Sequence, residues 1–227
     1  MRLKAIGGLL LLLLLLLLAQ PETAGAQQQC RLPDRLTVSP CPNLGREEVR
    51  GTKGDFDHYI LSFSWSPAFC ASPAGKRATM QCRDNQFGWI VHGLWPQYAE
   101  RRAGQSWPQY CGPVQPVPEP VLRRHLCSSP DPRLMQCEWA KHGSCSDFAT
   151  PAEYFNAQVG VATRLTLPEP QPGQSANAFA AAVIAANDDS HGYQRLERRH
   201  LRVIAGPDGI RELRICLERD LVRYRTC

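Results

Sequence analysis

Residues 136–145 read Gln-Cys-Glu-Trp-Ala-Lys-His-Gly-Ser-Cys, and they place a carboxylate, an ammonium and an imidazole within five positions. If this stretch is a helix, Glu138 and His142 are four residues apart and share one face with Lys141. The glycine that follows permits a sharp turn out of the helix. A carboxylate and a lysine shift the pKa of a neighbouring histidine in opposite directions, which acid–base catalysis can use. Taken alone, the stretch also fits an exposed helix with an ordinary Glu–Lys pair.

A second histidine follows a hydrophobic stretch about fifty residues upstream. Residues 87–92, FGWIVH, predict a largely buried strand, and the chain leaves it through GLWP at residues 93–96. A histidine at the end of such a strand and before a glycine is well placed to project into a cleft. Taken alone, His92 also fits a histidine satisfied within the core.

The rest of the chain predicts strands interspersed with helices. Residues 56–66 predict a strand whose large apolar side chains alternate with serines. Helices are predicted at residues 121–126, from Thr150 onward and at 176–187. GPDG at residues 206–209 predicts a hairpin between strands at 201–205 and 210–217. We therefore expect an α+β fold: a single domain with a mainly antiparallel central sheet, packed with several helices and stapled by disulfides.

The start of the chain predicts export. Arg2 and Lys4 precede an unbroken leucine run at residues 9–18, and Ala-Gly-Ala at 24–26 is typical of a cleavage site. A transmembrane anchor is the alternative, but the run is short for a bilayer. We expect residues 1–26 to be a signal peptide that is removed, and residues 27–227 to be the mature domain, with 27–54 as an N-terminal arm. The mature protein is expected to be secreted or periplasmic and to stay off the membrane.

All ten cysteines follow the expected signal peptide, and an even number in an exported chain indicates disulfides. Zinc is the alternative use of cysteine. The chain has no CxxC pair, and Cys137, His142 and Cys145 would be an unusual set of ligands. We therefore expect no metal and no cofactor.

Together, HGLWP at residues 92–96 and EWAKHG at 138–143 resemble the two catalytic segments of the ribonuclease T2 family, the secreted, transferase-type RNases of broad specificity, in a bacterial-like form. YILSFSWSPAFC at residues 59–70 resembles the first core strand of that family. LRICLERDL at 213–221, with the closing cysteine, resembles its last strands. The resemblance covers the chain from about residue 60 to the last residue, and two linked motifs are far more specific than either alone.

The resemblance implies a metal-independent endoribonuclease with two acid–base histidines. His142 would be the general base that removes a proton from the attacking 2′-hydroxyl, and His92 the general acid that protonates the departing 5′-oxygen. Lys141 and Glu138 would stabilise the transition state and tune the histidines. The product would be a 2′,3′-cyclic phosphate, which the same pair then hydrolyses more slowly.

The resemblance also implies the substrate-binding residues. Trp95 would stack on a base, which suits cleavage with little base specificity, and Tyr98 would line the base site. A core tryptophan is the alternative for Trp95. The other histidines match no catalytic position and are expected to be structural or on the surface: His58, His125, His191 and His200.

Three disulfides are implied by the resemblance: Cys70–Cys82, Cys111–Cys145 and Cys216–Cys227. We pair the remaining four cysteines as Cys30–Cys41 and Cys127–Cys137. One position departs from the family pattern, because many members have a phosphate-binding histidine where this chain has Cys137. A thiol cannot donate a charged hydrogen bond to phosphate, so we expect activity to survive with altered substrate binding.

Single-stranded RNA is the expected partner, since in-line attack by a 2′-hydroxyl needs a flexible backbone. The formal charge of +5 is compatible with a polyanion, and a basic cluster at residues 195–202 fits either RNA or a solvated face. No obligate protein partner is expected, and the protein should be a monomer. Two other functions compete: an exported RNA-binding or interaction protein without turnover, and a disulfide-rich structural module.

Overall fold

The computed structural model describes residues 30–42, 48–188 and 194–227. The expected signal peptide and His191 therefore lie outside the described residues. The strands are β1 (His58–Trp65), β2 (Trp89–Gln97), β3 (Leu201–Gly206) and β4 (Gly209–Glu218). The helices are α1 (Ser66–Cys70), α2 (Glu119–His125), α3 (Pro132–Lys141), α4 (Pro151–Ala162) and α5 (Ala176–Ala186). Short 3₁₀ turns occur at Gly75–Arg77, Gly143–Cys145 and Arg198–His200, and one π-helical turn at Met80–Asp84.

The four strands form one antiparallel sheet in the order β2-β1-β4-β3. Alternation along β1 separates its two faces, because Tyr59, Leu61 and Phe63 are buried in the hydrophobic core while Ser62 and Ser64 occupy the opposite parity. The core is completed by large side chains of the helices, among them Leu122, Trp139, Tyr154, Phe155 and Phe179. The predicted α+β fold, a single domain around an antiparallel sheet, is confirmed.

β2 is longer than the sequence pattern indicates, and this corrects the prediction that the strand ends at His92. It continues through Gly93 to Gln97, and fully buried Leu94 anchors the extension. Pro96 is tolerated because β2 lies at the edge of the sheet, where one side of the strand needs no hydrogen-bond donors. The phenol of Tyr154 on α4 donates to the Leu94 carbonyl at 2.8 Å. His92 therefore lies in the middle of a strand.

The start of each long helix is fixed by its own sequence. Asp131 caps α3 by accepting hydrogen bonds from the amides of Arg133 and Leu134. Thr150 and Glu153 form a capping box at the start of α4. Within residues 30–42, 48–188 and 194–227, no helix has the length and apolar character needed to cross a membrane.

Five disulfides join all ten cysteines, and two of them correct our pairing. The bridges Cys70–Cys82, Cys111–Cys145 and Cys216–Cys227 join the cysteines that the resemblance implies. The other four form Cys30–Cys127 and Cys41–Cys137, so the pairs Cys30–Cys41 and Cys127–Cys137 are wrong.

The path of the N-terminal arm explains why Cys30 and Cys41 pair with distant cysteines and not with each other. The guanidinium of Arg123 on α2 donates to the carbonyls of Pro33 and Asp34, at 2.9 and 3.0 Å. The arm is thereby held along α2, which brings its first cysteine to Cys127, two residues after that helix ends, and its second to Cys137 on α3. The two bridges join cysteines that are 97 and 96 residues apart in the sequence, rather than closing a small local loop.

Candidate active site

His92 lies at a β-bulge. Ser62 of β1 pairs with Gly93 and Phe63 pairs with Val91, so that His92 is an extra residue with no partner opposite it. Such bulges bend a strand locally and re-aim its side chains. Here Nδ1 of His92 lies 3.4 Å from the hydroxyl of Ser64, and Nε2 lies 3.7 Å from Oε1 of Glu138. With 31% of its side chain exposed, the imidazole remains accessible to a ligand.

His142 and Lys141 lie at the end of α3, where three contacts fix the backbone. The amide of His142 donates to the Glu138 carbonyl at 2.9 Å, and the carbonyl of Lys141 accepts from Tyr110 at 2.9 Å. Cys111, next to Tyr110, is bridged to Cys145, so the long loop after β2 is tied to the end of α3. Gly143 is required here, because a Cβ atom would lie 2.8 Å from Cζ3 of the Trp139 ring.

Trp95 lies between the two histidines. Its ring centre is 5.1 Å from that of His92 and 5.6 Å from that of His142. The indole Nε1 donates to Oε2 of Glu138 at 2.7 Å. The structure thus brings His92, Glu138 and His142 together around one indole, which also fixes the orientation of the carboxyl group.

Gly93 allows this close approach. A Cβ atom at this position would lie 2.8 Å from Cδ of Glu138 and 2.5 Å from the indole nitrogen, both closer than real Cβ contacts. The site therefore requires a glycine after His92, since any side chain there would displace the carboxyl group of Glu138 or the indole of Trp95.

Burial dominates the electrostatics of the site. It raises the pKa of Glu138 to about 8, although the hydrogen bond from Trp95 and the charge of Lys141 act in the opposite direction. Burial, then the positive charge of Lys141 and the neighbouring His92, hold the pKa of His142 well below its ordinary value. The pKa of His92 is also lowered, first by burial, with Glu212 opposing the shift. In the free protein all three groups therefore favour their neutral forms.

Two charged residues on β4 belong to the same neighbourhood and were missed by the sequence reasoning. Arg214 donates through Nε to Oε1 of Glu212 at 2.7 Å, and its guanidinium carbon lies 5.0 Å from the centre of the Trp95 ring. The hydroxyl of Ser62 donates to the same Glu212 oxygen at 2.5 Å. The sequence signal that could have found the pair is the alternation of Glu212 and Arg214 with apolar residues that are buried in the structure, Leu213, Ile215 and Leu217.

Tyr98, the second predicted base-site residue, has different surroundings. The guanidinium of Arg102 lies 4.4 Å from the centre of its ring, and its amide donates to the Ser106 carbonyl. These contacts belong to the loop that follows β2, whereas Trp95 contacts the histidines directly.

The other described histidines are part of the buried framework. Their relative exposures are 8% for His58, 5% for His125 and 1% for His200, and burial lowers the pKa of each. The basic cluster at residues 195–202 is largely engaged within the protein, since Arg195 pairs with Asp188 and Arg199 with Glu197.

The zinc alternative loses its ligands. Cys137 and Cys145 are both in disulfides, so neither can provide a thiolate that binds a metal ion together with His142. Within the described ranges, no group of three or more His, Cys, Asp or Glu side chains is arranged to hold a metal ion.

Comparison with known proteins identifies the family. Residues 56–198 match the model of the Ribonuclease T2 family, which is more than half of the chain. The chain belongs to this family. The predicted family is thus confirmed.

Relatives include a probable ribonuclease of Haemophilus influenzae, 39% identical over 128 residues, which are 52% of this chain and 47% of that protein. A ribonuclease of Aeromonas hydrophila is 29% identical over 192 residues, 79% of this chain and 80% of that protein. Among solved structures, RNase NT in complex with 5′-AMP superposes with a TM-score of 0.56 at 20% identity, covering 76% of this chain and 91% of that one. The alignment with the first relative thus spans about half of that protein's length.

Proposed function

We propose that the protein is an exported endoribonuclease that cleaves single-stranded RNA through a 2′,3′-cyclic phosphate and then hydrolyses that product more slowly. The observation that carries the proposal is the convergence of His92, Glu138 and His142 around Trp95, in a chain of a ribonuclease family. Two imidazoles beside a fixed cation can deprotonate a 2′-hydroxyl, protonate a 5′-oxygen and stabilise the charged phosphorane without a metal.

The environments of the two histidines support one division of labour. His142 is buried and faces the positive charge of Lys141, so its neutral form is favoured and it suits the general base. His92 is more exposed and the charge of Glu212 raises its pKa, so it accepts a proton more easily than His142 and suits the general acid. Two titratable groups whose surroundings differ in this way are typical of an acid–base pair.

Glu138 and Lys141 stabilise the transition state in this scheme. With a pKa of about 8, Glu138 is a neutral acid at neutral pH, so it does not repel a phosphate and can donate its proton in a hydrogen bond to a phosphate oxygen. Lys141 provides the positive charge that offsets the charge developing on phosphorus. No step requires a metal ion.

Substrate binding follows from the same residues. A flexible, single-stranded backbone can reach the in-line geometry that 2′-hydroxyl attack requires, whereas a duplex restrains it. Trp95 offers an aromatic surface at the centre of the site, and stacking on it tolerates any base. Tyr98 extends the base site toward the loop after β2. The protein works as a monomer without a protein partner in this scheme.

Export is supported by the disulfides. Five bridges among ten cysteines are typical of a protein in an oxidising compartment, such as the periplasm or the extracellular space. The leucine-rich start of the chain provides the expected signal for export.

The test uses the oxidised mature protein, a dinucleoside phosphate and EDTA, with products separated by chromatography. We expect the 2′,3′-cyclic phosphate first and the hydrolysed product later. His92→Ala and His142→Ala should each lower kcat by about 10²- to 10⁴-fold. His125→Gln is the matched control, because it also removes a buried imidazole but from α2, where its ring packs on Phe155.

Cleavage by either alanine variant at the rate of the His125→Gln control would contradict the two-histidine mechanism. Loss of cleavage in EDTA, restored by zinc, would contradict metal independence. A wild-type protein that is folded and binds RNA but yields no product between acidic and neutral pH would instead be an RNA-binding protein without turnover.

A further inference from the structure

The ion pair Glu212–Arg214 borders the site, and the proposed mechanism gives neither residue a contact with the substrate. β4 pairs with β1 on the side opposite β2, and the register places Arg214 beside Ser62 and Glu212 beside Ser64. The hydroxyl of Ser64 in turn lies 3.4 Å from Nδ1 of His92. The ion pair therefore shares the face of the sheet from which the His92 ring is reached.

The guanidinium of Arg214 is held in place. Its Nε is bonded to Glu212, whose Oε1 also accepts from Ser62, and the guanidinium lies 5.0 Å from the Trp95 ring centre. Because Nε makes the ion pair, the two terminal nitrogens provide four further N–H donors in a rigid fork. The fork fits two oxygens of one phosphate. A third of the Arg214 side chain is exposed, 34%, so a ligand can reach it.

A further cation at the site would compensate for the residue at position 137. In many members of the family, a histidine before the glutamate binds phosphate, and here that position is Cys137, whose sulfur is bonded to Cys41 and has no proton to donate. Lys141 is a compact point charge and does not reproduce a planar pair of donors. We infer that Arg214 binds a phosphate of the RNA and that Glu212 is a positioning residue that holds the guanidinium beside His92. This inference rests on the proposed function.

Glu212 and Arg214 shift the pKa of His92 in opposite directions. The charge of Glu212 raises the pKa of His92, and the charge of Arg214 lowers it, both against a larger lowering by burial. The charged or titratable groups around His92 are Glu138, Lys141, His142, Glu212 and Arg214. For a general acid, the pKa sets the alkaline limb of the kcat/KM profile. Glu212→Gln should move that limb to lower pH, and Arg214→Gln should move it to higher pH.

Binding is measured with a single-stranded 2′-O-methyl RNA oligonucleotide, whose blocked 2′-oxygen cannot attack. Fluorescence anisotropy at several salt concentrations gives Kd and its salt dependence. Arg214→Ala should raise Kd by about 10- to 100-fold, as expected for a lost charge-assisted pair of hydrogen bonds. The slope of log Kd against log salt should fall by about 0.7, the contribution of one phosphate contact in a single strand. Arg214→Lys should restore the slope but only part of the affinity.

The matched control is Arg211→Ala, which removes an arginine from the same strand that pairs with Asp208 instead, at 3.0 Å. Melting temperatures verify folding, and Arg214→Gln and Arg214→Lys retain most of the side-chain packing if the alanine variant is unstable. Binding by the Arg214 variants equal to that of Arg211→Ala, with the same salt slope, would overturn the inference. Because the ligand is not cleaved, weakened binding supports it even if the wild-type protein fails to cleave RNA, an outcome that rejects only the proposed function.

Discussion

Replacing Gly93 by alanine should disable the site while the fold persists. A Cβ atom here would lie 2.8 Å from Cδ of Glu138, closer still to Oε2, and 2.5 Å from the Trp95 nitrogen, whereas real Cβ atoms essentially never come within 3.0 Å of another heavy atom. The carboxyl oxygen must therefore move by about 1 Å, and a displacement of that size can lower a catalytic rate by about 10²-fold. The 2.7 Å hydrogen bond from Trp95 to Glu138 must lengthen or break at the same time.

The cost in stability can be separated from the cost in activity. Losing the buried hydrogen bond should reduce the free energy of unfolding by about 1–3 kcal/mol, partly offset by the better strand propensity of alanine. Urea unfolding measures this change, and kcat/KM on a dinucleoside phosphate measures the loss of activity. The double variant Gly93→Ala/Glu138→Ala tests the cause, because removing the displaced carboxyl group should relieve part of the strain, giving a coupling energy of about 0.5–3 kcal/mol.

The matched control is Gly160→Ala on α4, where an added Cβ atom meets nothing within 4 Å. This substitution should leave activity unchanged and stabilise the helix by about 1 kcal/mol. Full activity in Gly93→Ala, or stability effects of Gly93→Ala and Glu138→Ala that simply add, would refute the argument that Gly93 exists to let Trp95 and Glu138 meet.

Two further predictions concern stability. Because the folded pKa of Glu138 is raised to about 8, the unfolded chain loses a proton above about pH 4.5 that the folded protein keeps, so the free energy of unfolding should fall as pH rises from 4.5 to 8. Glu138→Gln removes this loss, so its melting temperature relative to wild type should increase across that window; a difference independent of pH would contradict the assignment. Replacing Cys41 and Cys137 together by serine opens a ring that, with Cys30–Cys127 intact, holds roughly 20 residues, so urea unfolding should show a loss of about 3 kcal/mol. RNA cleavage by the folded variant should stay within a few-fold of wild type, and a much larger loss would show that the bridge itself shapes the site.

The local parts of the site were predictable because their geometry is set within one turn of chain. Glu138, Lys141 and His142 meet through helical spacing, and the capping aspartate and the glycine after His142 fix the ends of α3. Trp95 was predicted to stack on a base, and its hydrogen bond to Glu138 was not predicted. That contact joins residues 43 positions apart, and no local pattern encodes it.

The missed features depend on the arrangement of the whole chain. Gly93 and Pro96 predict the end of a strand, yet β2 continues because its place at the sheet edge relaxes the need for backbone donors. Ser62 and Glu212 are 150 residues apart in the sequence, and their contact depends on the order of the strands in the sheet. Cysteine spacing does not encode pairing. The arm cysteines pair with one cysteine just after α2 and one on α3, because Arg123 holds the arm beside α2.

The electrostatics of the free site imply that RNA binding and proton uptake are linked. Glu138 and His142 favour their neutral forms, and burial also lowers the pKa of His92, yet the proposed mechanism requires a protonated acid. If a phosphodiester binds Lys141 and Arg214 as proposed, its negative charge favours the imidazolium form of His92. By thermodynamic reciprocity, a substrate that raises the pKa of His92 must bind more tightly at lower pH. In the proposed mechanism, the bound substrate therefore favours the protonated form of its own general acid, and its affinity should rise as the pH falls.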